Sequence, residues 1–296
     1  MICEMPLTDT VRKQKSNTTK FSQRSLSMKT QPRQFLNLVT TVTMLIAGGV
    51  LRSSANDTPQ AVPLVQKWSD ASLITTDNDW SKVPGFVGYR GDKLTTKIGA
   101  NPQTIVSDGM NSSVSVYANQ SKPNTFRSGG VSEFDGIPDP VVALKGSQTA
   151  SAPFLLLNLN TKGKKNVGVG YTLRDLDGSA NNAVQPVAFQ YRLGTNGNFT
   201  DIPAAYVADA TTGPTLNTQA TPVVVMLPVE AWDQYLLQVR WITANAEGND
   251  EWVGIDDIAV VADDIAAPPT AAAADEPANS KRSVEPLRSP RDATRQ

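Results

Sequence analysis

The chain has 296 residues, with 27 Lys and Arg, 28 Asp and Glu, one Cys and no His. Its 40% hydrophobic content is ordinary for a globular protein, and its length allows one or two domains. The absence of histidine excludes Ser-His-Asp triads, histidine general bases and His-ligated metal centres.

The first 55 residues predict a leader for export. Lys29 and Arg33 precede an apolar stretch at 35–51, and small residues follow it up to Ala55. This order is typical of a secretory signal peptide, which would be cleaved after Ala55. We therefore expect a secreted, extracellular protein with no membrane contact after cleavage.

An uncleaved membrane anchor is the alternative interpretation of the same stretch. The 17 residues at 35–51 include Asn37, three Thr and two Gly, which is short and weak for a membrane span. Met28 is a plausible true start, since it leaves a leader of ordinary length. Cys3, the single cysteine, would be absent from the mature chain.

Charge divides the chain into three parts. Residues 1–55 carry a net charge of +6, residues 56–265 carry −8 and residues 266–296 carry +1. The acidic central part lacks the basic footprint of phosphate-backbone binding, so no nucleic-acid partner is expected. The last part is rich in Ala and Pro and predicts a disordered tail.

Within 56–265 the apolar residues alternate with a period of two. The alternation is clearest at 166–173, 187–193, 237–243 and 253–259. Shorter strand candidates lie at 72–76, 114–117, 141–144, 154–159 and 223–227. Gly-containing turn dipeptides fall between them, and no helix of three turns is apparent. The pattern predicts an all-β domain, an antiparallel β-sandwich of jelly-roll type, with a closed barrel as the alternative.

Carboxylates in this domain suggest a metal site. Of its 22 acidic residues 18 are Asp, a turn residue and a compact oxygen ligand for calcium. The first and last strands of a jelly roll are often neighbours. This places Asp77 and Asp79 near Asp256 and Asp257 and predicts a structural Ca²⁺, with solvated turn carboxylates as the alternative.

The pair Asp256 and Asp257 falls inside an otherwise apolar strand. An unpaired carboxylate is costly in such a place. One of the two should therefore have a partner.

Of three short motifs, those at 175–178 and 90–92 predict turns, and the one at 133–135 is an incomplete catalytic motif. Residues 175–178 begin like a calcium loop but lack its later ligands. Residues 133–135 resemble part of a glycosidase motif, but Pro138 stands where the second carboxylate is needed. Residues 90–92 spell Arg-Gly-Asp, which a plain turn explains.

All five tryptophans lie in the central domain. Trp241 and Trp252 lie in strong strand patterns and are predicted to belong to the core. Trp80 and Trp232 lie beside polar turns and are the candidates for exposure and ligand binding. Packing in the core is the alternative for both.

A resemblance covers about residues 68–261. It rests on VGYTLRDLDGSANNAVQPVAFQYRLGTNGNFTDIPAAYVADATTGP, LQVRWITANAEGNDEWVGIDDIAV and LITTDNDWSKVPGFVGYRGDKL. These segments resemble an accessory β-sandwich module of secreted bacterial multidomain proteins, similar in shape to MAM and carbohydrate-binding jelly rolls. Such modules occur with extracellular endonuclease/exonuclease/phosphatase domains or lamin-tail domains. The resemblance implies a non-catalytic unit.

The expected function is therefore that of a secreted, monomeric, non-enzymatic binding or adhesion module. Its expected ligand is a polysaccharide, a cell surface or a protein, with calcium as a structural ion. One alternative is the N-terminal accessory fragment of a secreted nuclease or phosphoesterase. Another is a metal-dependent hydrolase that uses carboxylates alone.

Overall fold

The computed structural model describes residues 55–107, 109, 112–180, 182–213 and 215–266. The predicted signal peptide at 35–51 and residues 267–296 of the predicted tail lie outside them. In the part described, no helix has the length and apolar character needed to cross a membrane.

The described residues form twelve strands and four single turns of 3₁₀ helix. The strands are β1 Gln60–Ala61, β2 Leu64–Gln66, β3 Phe86–Tyr89, β4 Gly130–Phe134, β5 Val141–Lys145, β6 Phe154–Asn160, β7 Lys164–Asp175, β8 Ala188–Leu193, β9 Thr200–Asp201, β10 Ala220–Met226, β11 Leu237–Ile242 and β12 Val253–Asp264. The 3₁₀ turns are Pro102–Thr104, Pro123–Thr125, Pro203–Ala205 and Val229–Ala231.

The strands form two sheets, which confirms the predicted β-sandwich. Sheet one has the order β1-β6-β11-β8-β9, with β3 also paired to β6. Sheet two has the order β10-β7-β12-β5-β4, with β2 also paired to β12. Every pairing is antiparallel except that of β1 with β6. From β5 onward the long strands alternate between the two sheets, as the chain of a jelly roll does.

Two predicted strands are wrong, and each has a local reason. Residues 72–76 form a turn in which the backbone amide of Leu73 donates to the carbonyl of Asp70. Residues 114–117 make only isolated bridges, from Val114 to Tyr89 and from Tyr117 to Ser132. Because those partners belong to different sheets, this segment crosses from one sheet to the other instead of extending either.

The main core lies between the sheets. Alternate residues of the strands point into it, and Trp80, Trp241 and Trp252 are completely buried there. The core positions predicted for Trp241 and Trp252 are confirmed. Burial of this many large apolar side chains, each contributing about 1.5–3 kcal/mol, gives the domain a substantial core without a disulfide.

A second, smaller core covers the outer face of sheet one. Phe154 and Ile242 point away from the main core, and Ile105 and Phe199 pack over them. All six residues of β11 are therefore buried, including the polar ones on its outer face.

Polar side chains of sheet one satisfy one another under this cover. Gln238 Nε2 donates to Asn158 Oδ1 at 2.7 Å, and Arg192 Nε donates to Gln238 Oε1 at 2.7 Å. Arg240 Nε donates to Gln190 Oε1 at 2.8 Å. Buried polar groups need such partners. The polar side chains on this face of sheet one are thus bonded to one another under its apolar cover.

Candidate functional site

Three hollows meet at one end of the sandwich, around Asn245. Strands β5, β7 and β11 end there and β12 begins there, so the loops that follow or precede them form the walls. Asn245 lines all three hollows. We call them the central hollow, the basic groove and the alanine pocket.

The central hollow has a volume of about 560 Å³. Its lining is mainly polar, with the half-buried ring of Phe126 at one side. The polar residues are Asn124, Arg127, Lys145, Ser147, Gln148, Asp177, Ser179, Asn245, Asn249 and Asp250. The Phe126 ring stacks on buried Trp252 with ring centres 5.7 Å apart, which fixes its orientation.

A largely buried ion pair lies in the wall of the central hollow. Lys145 Nζ is 3.6 Å from Asp177 Oδ2, and 5.8 Å from the centre of the Trp252 ring. Asp177 Oδ1 also accepts the backbone amide of Ser179 at 3.0 Å. Low exposure of both partners makes this pair stronger than a surface pair and costly to break.

Asp250 lies against the backbone of the same hollow. Its Oδ1 accepts the Ala246 amide at 2.8 Å. Gly146 faces it, where any Cβ would overlap Asp250 Oδ1, so this approach requires glycine. Burial raises the pKa of Asp250 to about 6, against the lowering effects of the Ala246 amide and the Lys145 charge.

Behind this wall lies a buried cluster of carboxyl groups. Glu251 is 1% exposed, and neither of its carboxyl oxygens has a hydrogen-bond partner within the described chain. Burial, together with the charges of Asp175 and Asp177, raises its pKa to about 7. The Thr211 hydroxyl and the Ala183 backbone amide lower this pKa, and the hydroxyl donates to the Ala183 carbonyl and to Asp209 Oδ1. Glu251 is therefore protonated over much of the range below neutral pH.

Asp175 in the same cluster is held by other groups. Its Oδ2 accepts the Thr212 amide at 2.8 Å and the Thr212 hydroxyl at 2.7 Å. Its Oδ1 accepts the Asp177 amide at 3.1 Å, which closes a short Asx turn. Residues 175–178 thus form the turn that the sequence predicts.

The basic groove is the largest of the hollows, at about 970 Å³. Arg90 and Asp92, the ends of the Arg-Gly-Asp motif, lie in its wall and pair with each other, with Nε 3.1 Å from Oδ1. Gly91 between them has φ +69°, and a Cβ there would overlap the carbonyl of Ala152. The motif is thus a tightly packed turn.

The rest of the groove carries cations, hydroxyl groups and amides. Lys93 and Lys97 are exposed at its edge. Its hydroxyl and amide residues are Thr95, Thr96, Ser107, Ser113, Gln148, Thr149, Ser151 and Asn245. Such side chains can both donate and accept hydrogen bonds.

The alanine pocket has a volume of about 560 Å³ and a floor of small residues. Ala100, Ala183, Ala208, Ala244 and Ala246 line it. Tyr206, Asn101, Asn182 and Glu247 supply its larger side chains.

The four predicted calcium ligands have separate protein partners. Asp77 Oδ1 accepts the Ala118 amide at 2.8 Å, and Asp79 Oδ1 accepts the Ser81 amide at 2.9 Å. Asp256 Oδ2 accepts from Arg174 Nη1 at 2.6 Å, which confirms that one carboxylate of the 256–257 pair has a partner.

Asp257 is exposed and lies 3.7 Å from Lys67 Nζ. Among the described residues no group of three or more Asp, Glu, Cys or His is placed to hold a metal ion. The four carboxylates therefore do not converge as one site here.

The two tryptophans predicted to bind a ligand lie away from the hollows. Trp80 has no exposed surface, so the prediction that it is exposed is wrong. Its Nε1 donates to the Ser115 carbonyl at 3.1 Å, and Gly88 leaves room for its ring. Trp232 is only partly exposed, packs on the main core and has a buried Nε1.

The hollows themselves could not be located from the sequence. The acidic residues of 175–179 and 250–252, which border the hollows, are visible in the sequence only as two separate segments. They meet because β7 pairs with β12 in a register that sets Val253 opposite Asp175. Periodicity shows that each strand exists but not which strands pair.

No family model matches the chain, and no curated protein sequence matches it. A carbohydrate-binding module specific for non-crystalline cellulose aligns at 13% identity over 49% of this chain and 97% of its own, with a TM-score of 0.33. A Stig cyclase from Fischerella sp. TAU aligns at 12% identity over 68% and 95%, with a TM-score of 0.36. The K2 cleaved adhesin domain of Lys-gingipain aligns at 13% identity over 68% and 98%, with a TM-score of 0.35. Similarities this low do not support a function. The evidence for function therefore has to come from the hollows.

Proposed function

We propose that the protein is a non-catalytic β-sandwich module that binds a polysaccharide at its Asn245 end. The observation that carries this proposal is the lining of the basic groove and the central hollow. Hydroxyl and amide side chains converge there beside the oriented ring of Phe126. Sugar hydroxyl groups both donate and accept hydrogen bonds, and these side chains match that capacity.

The closed outer face of sheet one supports the same location. Residues around Ile105 and Phe199 cover that face, and its polar side chains are bonded to one another. The central hollow and the basic groove are concave, mainly polar and open to solvent. They are therefore the better place for a hydroxyl-rich ligand.

The carboxylates of the central hollow favour binding over hydrolysis. Glycoside hydrolysis needs two carboxyl groups that flank one glycosidic bond. Here Asp177 is neutralised by Lys145 and Asp250 accepts a backbone amide, so both have fixed partners. Secretion, a bound calcium ion and association with a nuclease or phosphoesterase domain stay predictions.

A polysaccharide array probed with the full chain tests the proposal. We expect binding to at least one polysaccharide, and a loss of about tenfold in affinity for Asn245→Ala. Asn198→Ala is the matched control, because Asn198 is an exposed asparagine in the turn after β8, at the opposite end. Absence of binding across the array, or equal effects of the two variants, would refute the proposal.

A further inference from the structure

The proposed binding surface carries positive charge on an acidic body. Residues 56–265 have a net charge of −8, yet the basic groove contains Arg90, Lys93 and Lys97 with Asp92 as its acidic side chain among the described residues. Asp92 is occupied by Arg90 at 3.1 Å. Among the described residues that line the groove, three cations therefore face one carboxylate, which is already paired.

The two lysines of the groove have no acidic partner in the described chain. Ion pairs within 4.0 Å join other cations to carboxylates, such as Lys145 to Asp177 and Lys162 to Asp233, but none involves Lys93 or Lys97. Both are exposed at the groove edge. With respect to the described carboxylates, their ammonium groups are therefore available to an anion.

A third cation, Arg127, lies in the central hollow, whose other charged side chains are Lys145, Asp177 and Asp250. Arg127 is exposed there and makes no ion pair with the described carboxylates. Ile98 and Gln148 line both the central hollow and the basic groove, so the two are contiguous. An extended polymer that follows both hollows contacts Arg127 in the central hollow and Lys93 and Lys97 in the basic groove.

Building on the proposed function, we propose that the polysaccharide is anionic, bearing uronate carboxylates or sulfate esters that bind Lys93, Lys97 and Arg127. A guanidinium can bind a carboxylate or a sulfate through two parallel hydrogen bonds, and an ammonium binds either as a point charge. The hydroxyl and amide side chains between these cations bind the neutral parts of each sugar.

A nucleic acid would offer the same negative charge but fits the groove less well. Binding of single strands depends on aromatic side chains on which bases stack. The described lining of the basic groove includes no aromatic residue, and that of the central hollow includes one, Phe126, whose ring stacks on Trp252. Hydroxyl and amide groups dominate the basic groove instead, which favours sugars.

Two matched ligand pairs test the inference by isothermal titration calorimetry on the full chain. Polygalacturonate is compared with its fully methyl-esterified form, and dextran sulfate with dextran. In each pair the backbone is shared and the charge differs, so uronate and sulfate recognition are read separately. Oligo(dT) is the nucleic-acid arm.

Charge variants locate the effect. The triple variant K93Q/K97Q/R127Q removes the three cations, and K67Q/K82Q/K162Q removes the same charge from exposed positions outside the hollows. We expect at least one anionic polymer to bind about tenfold more tightly than its neutral partner. The first variant should lose that preference and the second should keep it, and salt should weaken the anionic binding.

Each other outcome is decisive. Equal affinity for charged and neutral polymers, or equal effects of the two triple variants, would overturn the inference and leave the proposed function intact. Binding of oligo(dT) as tightly as the acidic polysaccharides would overturn it in favour of a nucleic acid. Failure to bind any polysaccharide of the array would refute the proposed function together with the inference.

Discussion

Lys145 and Asp177 form an ion pair that links the ends of two strands not hydrogen-bonded to each other, with Nζ 3.6 Å from Oδ2. Lys145 ends β5 and Asp177 follows β7, and both strands pair with the intervening β12. The pair therefore joins the two sides of the central hollow across the start of β12.

Replacement of Lys145 should test the strength of this link. Lys145→Met leaves Asp177 buried with a reduced set of partners, so we expect the free energy of unfolding to fall by about 3 kcal/mol. Urea denaturation measures the change. Lys162→Met is the control, because its pair with Asp233 is exposed and should matter little. Equal losses of unfolding free energy in the two variants would show that burial does not make the Lys145–Asp177 pair more important than the exposed pair.

Stability should depend on pH through Glu251. Its pKa is about 7 in the folded protein against an ordinary value of 4.5, so the folded state binds more protons between these values. The free energy of unfolding therefore falls as pH rises from about 4.5 to 7. Unfolding at pH 5, 6, 7 and 8 measures this slope.

Glu251→Gln should reduce the slope without abolishing it. Burial also raises the pKa of Glu133 to about 7 and that of Asp250 to about 6, and both contribute in the same direction. If Glu251→Gln keeps the wild-type dependence of stability on pH, the pKa of Glu251 is not raised in the folded protein.

Two glycines with the same backbone angle should respond differently to alanine. Gly91 has φ +69° and Gly194 has φ +70°, but a Cβ at Gly91 overlaps the Ala152 carbonyl whereas one at Gly194 meets nothing within 4 Å. We expect Gly194→Ala to cost about 1 kcal/mol and Gly91→Ala about 3 kcal/mol. Thermal or urea unfolding measures the free energy of unfolding of each variant. A comparable loss of stability in the two would refute the crowding at Gly91.

The calcium prediction has a direct test in the melting temperature. If an ion binds, calcium added after EDTA treatment should raise the melting temperature, and Asp257→Asn should remove the gain. Asp257 is the informative position because its side chain is exposed. Asp256 forms an ion pair with Arg174, so its replacement would lower stability whether or not calcium binds. If EDTA leaves the melting temperature unchanged, the prediction of a structural calcium ion is wrong.

Strands with a long alternating pattern were predictable from the sequence. The seven strands β5–β8 and β10–β12 overlap predicted segments, because apolar residues run through or alternate along each of them. Strand β4 has five buried residues but includes Ser132 and Glu133, and the sequence did not predict it. Strands β1, β2 and β9 have two or three residues, too few for an alternation to be recognised. Their existence depends on edges offered by β6, β12 and β8.

Trp80 shows how a local signal can mislead. Polar neighbours suggested an exposed ring, but the ring enters the main core and lies 6.4 Å from the Trp68 ring, edge to face. The Ser115 carbonyl, 35 positions along the chain, and the space left by Gly88 provide this environment, and neither is apparent from the residues next to Trp80.

The sequence by itself determined the fold class and excluded histidine chemistry, because side-chain periodicity and residue content are local properties. The tertiary structure decided the location of the hollows and the partners of the carboxylates. Asp175 and Glu251 are 76 positions apart and come together only through the register of β7 with β12. Pairing of distant strands is selected by the packing of the whole sandwich, so no single segment encodes it.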